Sequence, residues 1–323
     1  MTAEPVIDQQ QALATTAAPA TAGAPATAGA PATTGAPATV RASLSPSRAA
    51  DFKTCPLLYR LRSIDRLPER PSMEQARGTL VHAVLERLFD LPAAGRTPEA
   101  AGDLVGPQWD RLVTEQPELA ALFDAEDPAG TGEFLRSAAG LLEGYFAVED
   151  PRRLEPAERE ALISAVVDGE LLIRGYLDRL DVAPDGALRV VDYKTGGAPR
   201  EAFEARALFQ LKFYALVLWR TRGVVPRVLR LLYLKDAQVC DYTPDAEELV
   251  RFERTVVALW QAIEAATARQ DFRPRPSRLC DWCNHQALCP SFGGTPPPFP
   301  TVAPTGDPLV DARSRPAQPG ADE

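Results

Sequence analysis

Two apolar runs joined by a Pro-Asp-Gly turn at residues 184–186 constrain the fold of this chain most. The runs ELLIRGYLDRLDVA and ALRVVDYKT have the composition of β-strands. A Pro-Asp-Gly connection suits a three-residue hairpin loop, a type I turn followed by glycine in the left-handed region. Counting outward from that loop pairs Ala183 with Ala187 and places Asp178 directly opposite Asp192.

Lys194 follows Asp192 by two residues, so both side chains lie on one face of the strand. A surface ion pair would account for that spacing alone. Asp178 adds a constraint, because like charges opposed across two strands are destabilising and indicate a shared proton or a divalent cation. Carboxylate oxygens suit Mg²⁺ or Mn²⁺. The interpretation needs the three-residue turn, since a slip of one residue moves Asp178 to the other face.

Two predicted helices carry polar residues that could support such a site. His82 lies on one helical face with Gly78, four residues earlier, and this glycine would let a backbone or a ligand come close. Gln210 and Tyr214 share a face in the same way and could hold Lys194 or a phosphate by hydrogen bonds. The alternatives are a structural histidine and an ordinary amphipathic helix.

The segment RLCDWCNHQALCP has metal-ligand spacing, with Cys280, Cys283 and Cys289 close together. Cys55, which also precedes a proline, is the best candidate for a fourth ligand. Four thiolates could hold a [4Fe–4S] cluster or a zinc ion. Chance spacing or a disulfide is the alternative.

Two further residues, Cys240 and His285, are candidate ligands that we do not expect to bind the metal. Cys240 lies in a strand pattern and is interpreted as an inert buried thiol. His285 lies between the cysteines and could replace one of them, but we expect it to be exposed.

Arginines crowd both ends of the predicted domain, although the chain has a net charge of −9. That charge argues against a globally basic nucleic-acid binder, but binding depends on local patches. A basic channel for DNA would form if the cysteines bring the two ends together; snorkelling surface arginines are the alternative. The predicted DNA-contacting residues are Arg60, Arg62, Arg273, Arg275 and Arg278.

Composition divides the chain into three parts. Residues 1–42 contain a repeat of Ala, Pro, Thr and Gly and are predicted to be a disordered tail, as are the Pro- and Gly-rich residues 292–323. Residues 43–291 are predicted to form a single domain in which helices, a β-meander, a helix, strands and a helix follow one another. This order indicates an α/β core with an added helical part.

Several classes of protein are disfavoured by the same sequence. No apolar run approaches the roughly 20 residues of a transmembrane helix, and no secretory signal pattern is present. Five cysteines in a chain of 323 residues do not suggest a disulfide scaffold. We therefore expect a cytoplasmic, reducing setting and no membrane partner.

Taken together, these motifs resemble the RecB-like branch of the PD-(D/E)XK nuclease superfamily. The similarity is to its iron–sulfur members, the nuclease domain of AddB-type recombination proteins and CRISPR-associated nucleases. It covers residues 45–291 and is carried by GYLDRLD, VDYKTG, the four cysteines and the pairs Gly78/His82 and Gln210/Tyr214. The resemblance implies a restriction-endonuclease-like core, a mixed sheet flanked by helices, with an N-terminal helical part and a C-terminal iron–sulfur segment.

The resemblance also implies roles for individual residues. It implies a cation site with four ligands: Asp178, Asp192, His82 and the backbone carbonyl of Tyr193. Lys194 would position the attacking water, while Gln210 and Tyr214 would support the site and the DNA backbone. It further implies a structural [4Fe–4S] cluster with four ligands: Cys55, Cys280, Cys283 and Cys289.

The implied function is a metal-dependent DNA exonuclease that acts on single-stranded ends in repair or recombination. The alternative is a DNA-end binding module, or a nuclease subunit that acts only with a helicase partner. The sequence lacks a Gly-rich phosphate loop of the helicase type, so we expect any unwinding to come from such a partner.

Overall fold

The computed structural model describes residues 43–123, 128–198 and 204–300. The predicted tail at residues 1–42, and residues 301–323 of the other tail, lie outside this part of the chain. The α-helices are α1 (Pro46–Thr54), α2 (Pro56–Tyr59), α3 (Met73–Leu88), α4 (Pro98–Glu115), α5 (Pro128–Val148), α6 (Glu204–Arg222) and α7 (Ala246–Arg269). The strands are β1 (Ser43–Leu44), β2 (Glu158–Val167), β3 (Leu171–Val182), β4 (Leu188–Lys194), β5 (Val228–Tyr233) and β6 (Gln238–Tyr242).

The six strands form one mixed sheet, as the family resemblance implies. Strand β3 pairs antiparallel with β2 from Leu171 to Leu180. Its other edge is therefore left for β1, which pairs in parallel at its start, and for β4, which pairs antiparallel at its end. Strand β5 then adds in parallel to β4, and β6 closes the order antiparallel to β5.

Helices cover both faces of the sheet, and each face has its own apolar core. One core contains residues of α6 and α7 together with β-strand residues such as Val190. The other contains residues of α3, α4 and α5 together with Val191. Neighbouring residues of β4 thus enter opposite cores, which is the alternation expected for a strand buried on both faces. The predicted α/β core with an added helical part is confirmed.

The N-terminal helical part begins and bends where the sequence indicates. Ser45 caps α1 by accepting the backbone N–H of Arg48 at 3.3 Å, and Pro46 occupies the first turn. Cys55 interrupts the helix before Pro56, with φ −158° and ψ 115°. Cys55 therefore lies at the junction of α1 and α2.

The first residues of the segment predicted as a C-terminal tail pack against the domain. Phe299 stacks on Phe272 at 6.1 Å between ring centroids, and Phe272 in turn stacks on Tyr59 at 6.3 Å. The described part of this segment thus lies on the N-terminal helices up to residue 300.

No helix in the described part of the chain combines the length and the apolar character that a membrane span requires.

Candidate active site

The turn at residues 184–186 has the geometry on which the carboxylate pair depends. The backbone N–H of Ala183 donates to the carbonyl of Ala187 at 2.9 Å, and that of Gly186 donates to the carbonyl of Ala183 at 2.8 Å. Gly186 has φ +81°, the left-handed conformation that a glycine adopts without strain. The β3–β4 ladder runs in the predicted register from Val182↔Leu188 to Arg179↔Val191.

The ladder ends one residue before Asp178 and Asp192, and side-chain hydrogen bonds replace it there. The backbone N–H of Tyr193 donates to Asp178 Oδ2 at 2.7 Å. Lys194 Nζ lies 2.6 Å from Asp192 Oδ2 and donates to Gln210 Oε1 at 2.9 Å. The relay continues on α6, where Gln210 Nε2 donates to the hydroxyl of Tyr214 at 3.0 Å. Four of the predicted side chains are thus linked to one another, and Asp178 is joined to them through the backbone of Tyr193.

Burial and mutual repulsion set the charge of the two aspartates. Asp192 is only 1% exposed. Burial, and after it the charge of Asp178, raise the pKa of Asp192 to about 6 against the opposing effect of Lys194. Burial alone would also raise the pKa of Asp178, but His82, Lys194 and the Tyr193 N–H outweigh it, so that pKa lies below its usual range.

His82 reaches this site from α3 and faces oxygen atoms with both ring nitrogens. Its Nε2 lies 3.0 Å from the carbonyl oxygen of Tyr193. Its Nδ1 lies 3.4 Å from Glu160 Oε1 and 3.5 Å from Asp178 Oδ1. Burial lowers the pKa of His82, but the two carboxylates more than offset this and hold it well above its ordinary value.

Glu160 is a site residue that the sequence interpretation missed. The signal that could have found it is the Asp168-Gly169-Glu170 turn between β2 and β3. Counting outward from the Val167↔Leu171 pair places Glu160 opposite Asp178. Among the described residues, the one group of at least three metal-ligating side chains with ligand atoms all within 4.8 Å of one another is His82, Glu160 and Asp178.

Gly78 allows α3 to approach the end of β4. A Cβ atom at this position would lie 3.3 Å from Thr195 Oγ1, the residue directly after Lys194. The close approach expected from the sequence is therefore made by the protein's own chain at the edge of the site.

The chemistry of these donors fits a divalent cation. The buried carboxylate of Asp192, the half-buried carboxylate of Asp178, an imidazole and a backbone carbonyl converge here, and burial together with the charge of Asp178 raises the pKa of Asp192. Hard oxygen ligands of this kind are those that Mg²⁺ and Mn²⁺ prefer. The residues that could hold such an ion are Asp178, Asp192, His82, Glu160 and the carbonyl of Tyr193.

The cysteine motif occupies a different part of the molecule. Cys55, Cys280, Cys283 and Cys289 all line one cavity between the N-terminal helices and residues 274–292. In the described part of the chain, no three of their sulfur atoms lie within 4.8 Å of one another. Tetrahedral zinc with Zn–S bonds of about 2.3 Å needs sulfurs about 3.8 Å apart, so the thiols are spaced too widely for a closed zinc site.

Backbone N–H groups point at two of these sulfurs. That of Arg275 donates to Cys55 Sγ at 3.3 Å, and that of Ser277 donates to Cys280 Sγ at 3.3 Å. Burial, and the nearness of Cys280 and Cys55, raise the pKa of the Cys283 thiol. Two of the sulfurs that line the cavity therefore accept backbone N–H groups, while among the described residues the thiols do not form a closed metal site.

His285 requires correction, and Arg62 lies in the same network of contacts. His285 is buried rather than exposed, and its Nε2 lies 3.0 Å from Glu69 Oε1. Arg62 bonds to Glu69 and to Asp51, at 2.7 Å in each case. These residues connect α1 to the cysteine segment. The side chain of Arg62 is 33% exposed, so its contact with DNA stays a prediction.

The side chain of Arg60 is engaged by other parts of the protein, which corrects its predicted role in DNA contact. Its side chain is about 10% exposed and pairs with Asp65 at 3.0 Å. The guanidinium lies over the ring of Phe299, 5.2 Å from its centroid, and bonds to the carbonyl of Pro297. Arg60 therefore holds the C-terminal segment and is not available to a phosphate.

The three C-terminal arginines are exposed, as a nucleic-acid contact requires. Arg273 pairs with Asp271 at 3.1 Å but remains 85% exposed. Arg275 donates to the carbonyl of Lys53 at 2.6 Å. Arg278 begins the short 3₁₀ turn that carries Cys280. No described contact tests whether these residues bind DNA, so that role stays a prediction.

Comparison with known proteins agrees with this arrangement. The chain is 28% identical over 268 residues to the Gene 69 protein of Mycobacterium phage D29. The alignment covers 77% of this chain and 96% of the relative. It is 25% identical over 286 residues to the Gene 69 protein of Mycobacterium phage L5, with the same coverage. These names state no activity.

Among solved structures, one from Eubacterium rectale that is provisionally named an exonuclease matches with a TM-score of 0.48. The identity is 12%, over 84% of this chain and 93% of the other. The family model of the PD-(D/E)XK nuclease superfamily matches residues 43–290, which is most of the chain and includes every residue of the candidate site. The chain therefore belongs to the PD-(D/E)XK nuclease superfamily.

Proposed function

We propose that this protein is a divalent-metal-dependent deoxyribonuclease that cleaves phosphodiester bonds as an exonuclease. The observation that carries the proposal is the junction of Asp178, Asp192 and Lys194 at one end of the β3–β4 ladder, beside His82. A cation bound by the two aspartates, His82 and the Tyr193 carbonyl would activate water and offset the charge that develops on the phosphate.

The protein's own residues would orient these groups. Asp178 is fixed by the Tyr193 N–H, which keeps one carboxylate oxygen engaged and directs the other towards His82. Lys194 is held by Asp192 and Gln210, and Tyr214 fixes the amide of that glutamine. A lysine held so firmly can orient the attacking water and stabilise negative charge on the phosphate without reorganising.

Within this proposal the four cysteines hold a structural [4Fe–4S] cluster. Support comes from the cavity that all four cysteines line and from the backbone N–H donors to two of their sulfurs. The cluster would join α1 to a segment more than 200 residues later, and so stabilise the fold by closing a long loop. Zinc is the alternative occupant.

The substrate and setting rest on the resemblance to RecB-like nucleases. We expect single-stranded DNA ends as substrate, a role in repair or recombination, a helicase subunit as a partner and a cytoplasmic location. The exposed residues Arg273, Arg275 and Arg278 would contact the DNA backbone.

A cleavage assay tests the catalytic part of the proposal. Single- and double-stranded DNA labelled at either end is incubated with Mn²⁺ or Mg²⁺, and the product ladders are compared. Asp192→Asn should abolish cleavage with little change in volume at the buried site. Asp241→Asn is the control. Asp241 lies on β6, where it forms a surface ion pair with Arg230 of β5. Metal-dependent cleavage by purified Asp192→Asn would refute the assignment.

Anaerobic purification tests the cluster. A brown protein with broad visible absorption and about four irons per chain is expected for [4Fe–4S]. Colourless protein with one zinc would favour the alternative. Tight binding of single strands without any cleavage would favour a DNA-end binding module over the enzyme.

A further inference from the structure

The carboxylate of Glu160 faces the ring nitrogen of His82 that points away from the Tyr193 carbonyl. We propose that Glu160 is a positioning residue for His82, and that it holds the imidazole so that Nε2 is directed at the cation. The proposal rests on the proposed function, because it assigns a role to Glu160 in the same cation site.

The two nitrogens of His82 have different surroundings. Nε2 lies 3.0 Å from the Tyr193 carbonyl oxygen, a separation suited to two ligands of one cation. Nδ1 lies 3.4 Å from Glu160 Oε1. A histidine that ligates a metal through one nitrogen commonly donates its other N–H to a carboxylate, which fixes the tautomer and the orientation of the ring. Glu160 stands where that carboxylate is needed.

Asp178 also lies near Nδ1, at 3.5 Å, but both of its carboxylate oxygens have other roles. Its second oxygen accepts the Tyr193 N–H, and the proposed function makes it a direct ligand. Glu160 approaches His82 from β2, on the opposite edge of β3 from β4. It therefore adds a third strand to a site that the sequence interpretation built from two.

The backbone at Glu160 is consistent with a functional constraint. Its φ of +43° lies in the left-handed region, within a strand. Asp168, Ala237 and Gln270 share this conformation, but they lie in turns or at a helix end. The β2–β3 ladder omits the Glu160–Asp178 pair, running from Arg159↔Arg179 to Ala161↔Leu177. An unfavourable conformation held inside a regular strand directs attention to what its side chain does.

The proposal is tested by measuring how tightly the full-length protein binds Mn²⁺ in the absence of DNA. Electron paramagnetic resonance detects the ion that remains free. Glu160→Ala should weaken Mn²⁺ binding by about 10- to 100-fold. Glu160→Gln keeps an acceptor for the Nδ1–H and should recover most of that loss. Glu158→Gln is the matched control, since Glu158 lies on the same strand in a surface pair with Arg222 and should bind Mn²⁺ like wild type.

Stability separates a positioning role from a structural one. Asparagine tolerates the left-handed conformation better than glutamate. Glu160→Asn should therefore keep or increase the urea midpoint while it weakens Mn²⁺ binding. A lower midpoint in both Asn and Gln variants, with unchanged Mn²⁺ affinity, would assign Glu160 to the fold alone and overturn the proposal.

Nitrogen NMR identifies the atom that binds the ion. The chain has two histidines, so ¹⁵N-histidine spectra of the Mg²⁺-saturated protein can be assigned with a His82→Gln variant. Positioning by Glu160 predicts a protonated Nδ1 and an ion-bound Nε2. A protonated Nε2 would make Glu160 a ligand of the ion together with Nδ1, and would overturn the proposal.

Failure of the proposed function has a separate signature. If the wild-type protein binds no Mn²⁺, or if Asp192→Asn binds it equally well, the cation site itself is wrong. If Asp192→Asn loses binding while Glu160→Ala does not, the site stands and only the role of Glu160 fails.

Discussion

Asp178 and Asp192 belong to two paired strands of the central sheet, whereas three of the four cavity cysteines lie in or beside short 3₁₀ turns between residues 278 and 292. Side chains of the carboxylate site bond to one another, through Lys194 and Gln210. The thiols receive backbone N–H groups but are not held together by any described bond between them. The carboxylate site should therefore form without its ion, and the cysteine segment should depend on one.

The largest effect expected from this difference is on stability at the cysteine cavity. Cys283→Ser should lower the free energy of unfolding by at least about 3 kcal/mol, because binding energy at a structural metal centre is also folding energy. Thermal unfolding under anaerobic conditions measures it. Cys240→Ser, on β6 and away from the cavity, should change stability by less than about 1 kcal/mol. Equal losses in both variants would remove the distinction between the two regions.

Next in size is the effect of a buried ion network behind the carboxylate site. Arg179 is fully buried and bonds to both oxygens of Glu149, at 2.6 and 2.8 Å, and to the Tyr193 hydroxyl at 2.9 Å. Glu149→Gln should cost up to about 3 kcal/mol in urea unfolding, because it removes one of the two carboxylates, Glu149 and Asp181, that compensate the buried charge of Arg179. Glu143→Gln, at an exposed position of α5, the helix that ends one residue before Glu149, should have no measurable effect. A cost below 1 kcal/mol would show that the sheet does not need this network.

The third prediction concerns cleavage rather than stability. Lys194→Met should lower the cleavage rate by about 10²- to 10³-fold, since it removes one fixed positive group from the phosphate site. Lys212→Met is the control, because Lys212 pairs with Glu248 at 2.6 Å elsewhere on α6 and should cleave normally. Single-turnover rates on labelled DNA give both values. A loss shared by both variants would indicate damage to α6 rather than to the chemistry.

A smaller effect, with opposite signs for stability and activity, is expected at Gly78. Replacing it with alanine favours the helix by up to about 1 kcal/mol, but the new Cβ crowds Thr195 beside Lys194. Gly78→Ala should therefore keep or raise stability while cleavage falls several-fold. Gly140→Ala, whose Cβ would meet no atom within 4 Å, should raise stability without changing cleavage. Unchanged cleavage in Gly78→Ala would mean that the site tolerates displacement of this strand end.

The smallest effect is on DNA binding by the cysteine segment. Arg278→Gln should weaken binding of single strands a few-fold and reduce the salt dependence of log K by about one unit. Arg153→Gln, 86% exposed and remote from this segment in the sequence, should do neither. Fluorescence anisotropy at several salt concentrations measures the slope. An unchanged slope in Arg278→Gln would remove the predicted phosphate contact.

The carboxylate site could be predicted from the sequence because its geometry depends on short-range rules. The loop at residues 184–186 determines which residues of β3 and β4 face each other, and a helical spacing of four relates Gln210 to Tyr214. The same rule, applied to the turn after β2, would have placed Glu160 opposite Asp178. This part of the fold follows from local turn chemistry.

Arg60 and His285 could not be placed by such rules, because part of their environment comes from residues distant in the sequence. Arg60 is covered by Phe299, and His285 meets Glu69. A count of basic residues gives the charge of a segment but not its exposure. Prediction therefore failed where the contacts span about 200 residues or more.

The connectivity of the sheet has a consequence for the order of folding. Strands β2, β3 and β4 form a meander whose hairpin partners are near neighbours in the chain, while β1 pairs with β3 across about 130 residues. Local hairpins close faster than distant pairings, because less chain entropy is lost in closing them. We therefore expect Glu160, Asp178 and Asp192 to meet early, before the ends of the chain are joined. The repulsion among these carboxylates would then oppose the earliest stage of folding. Divalent cations reduce that repulsion, so they should accelerate refolding as well as support catalysis.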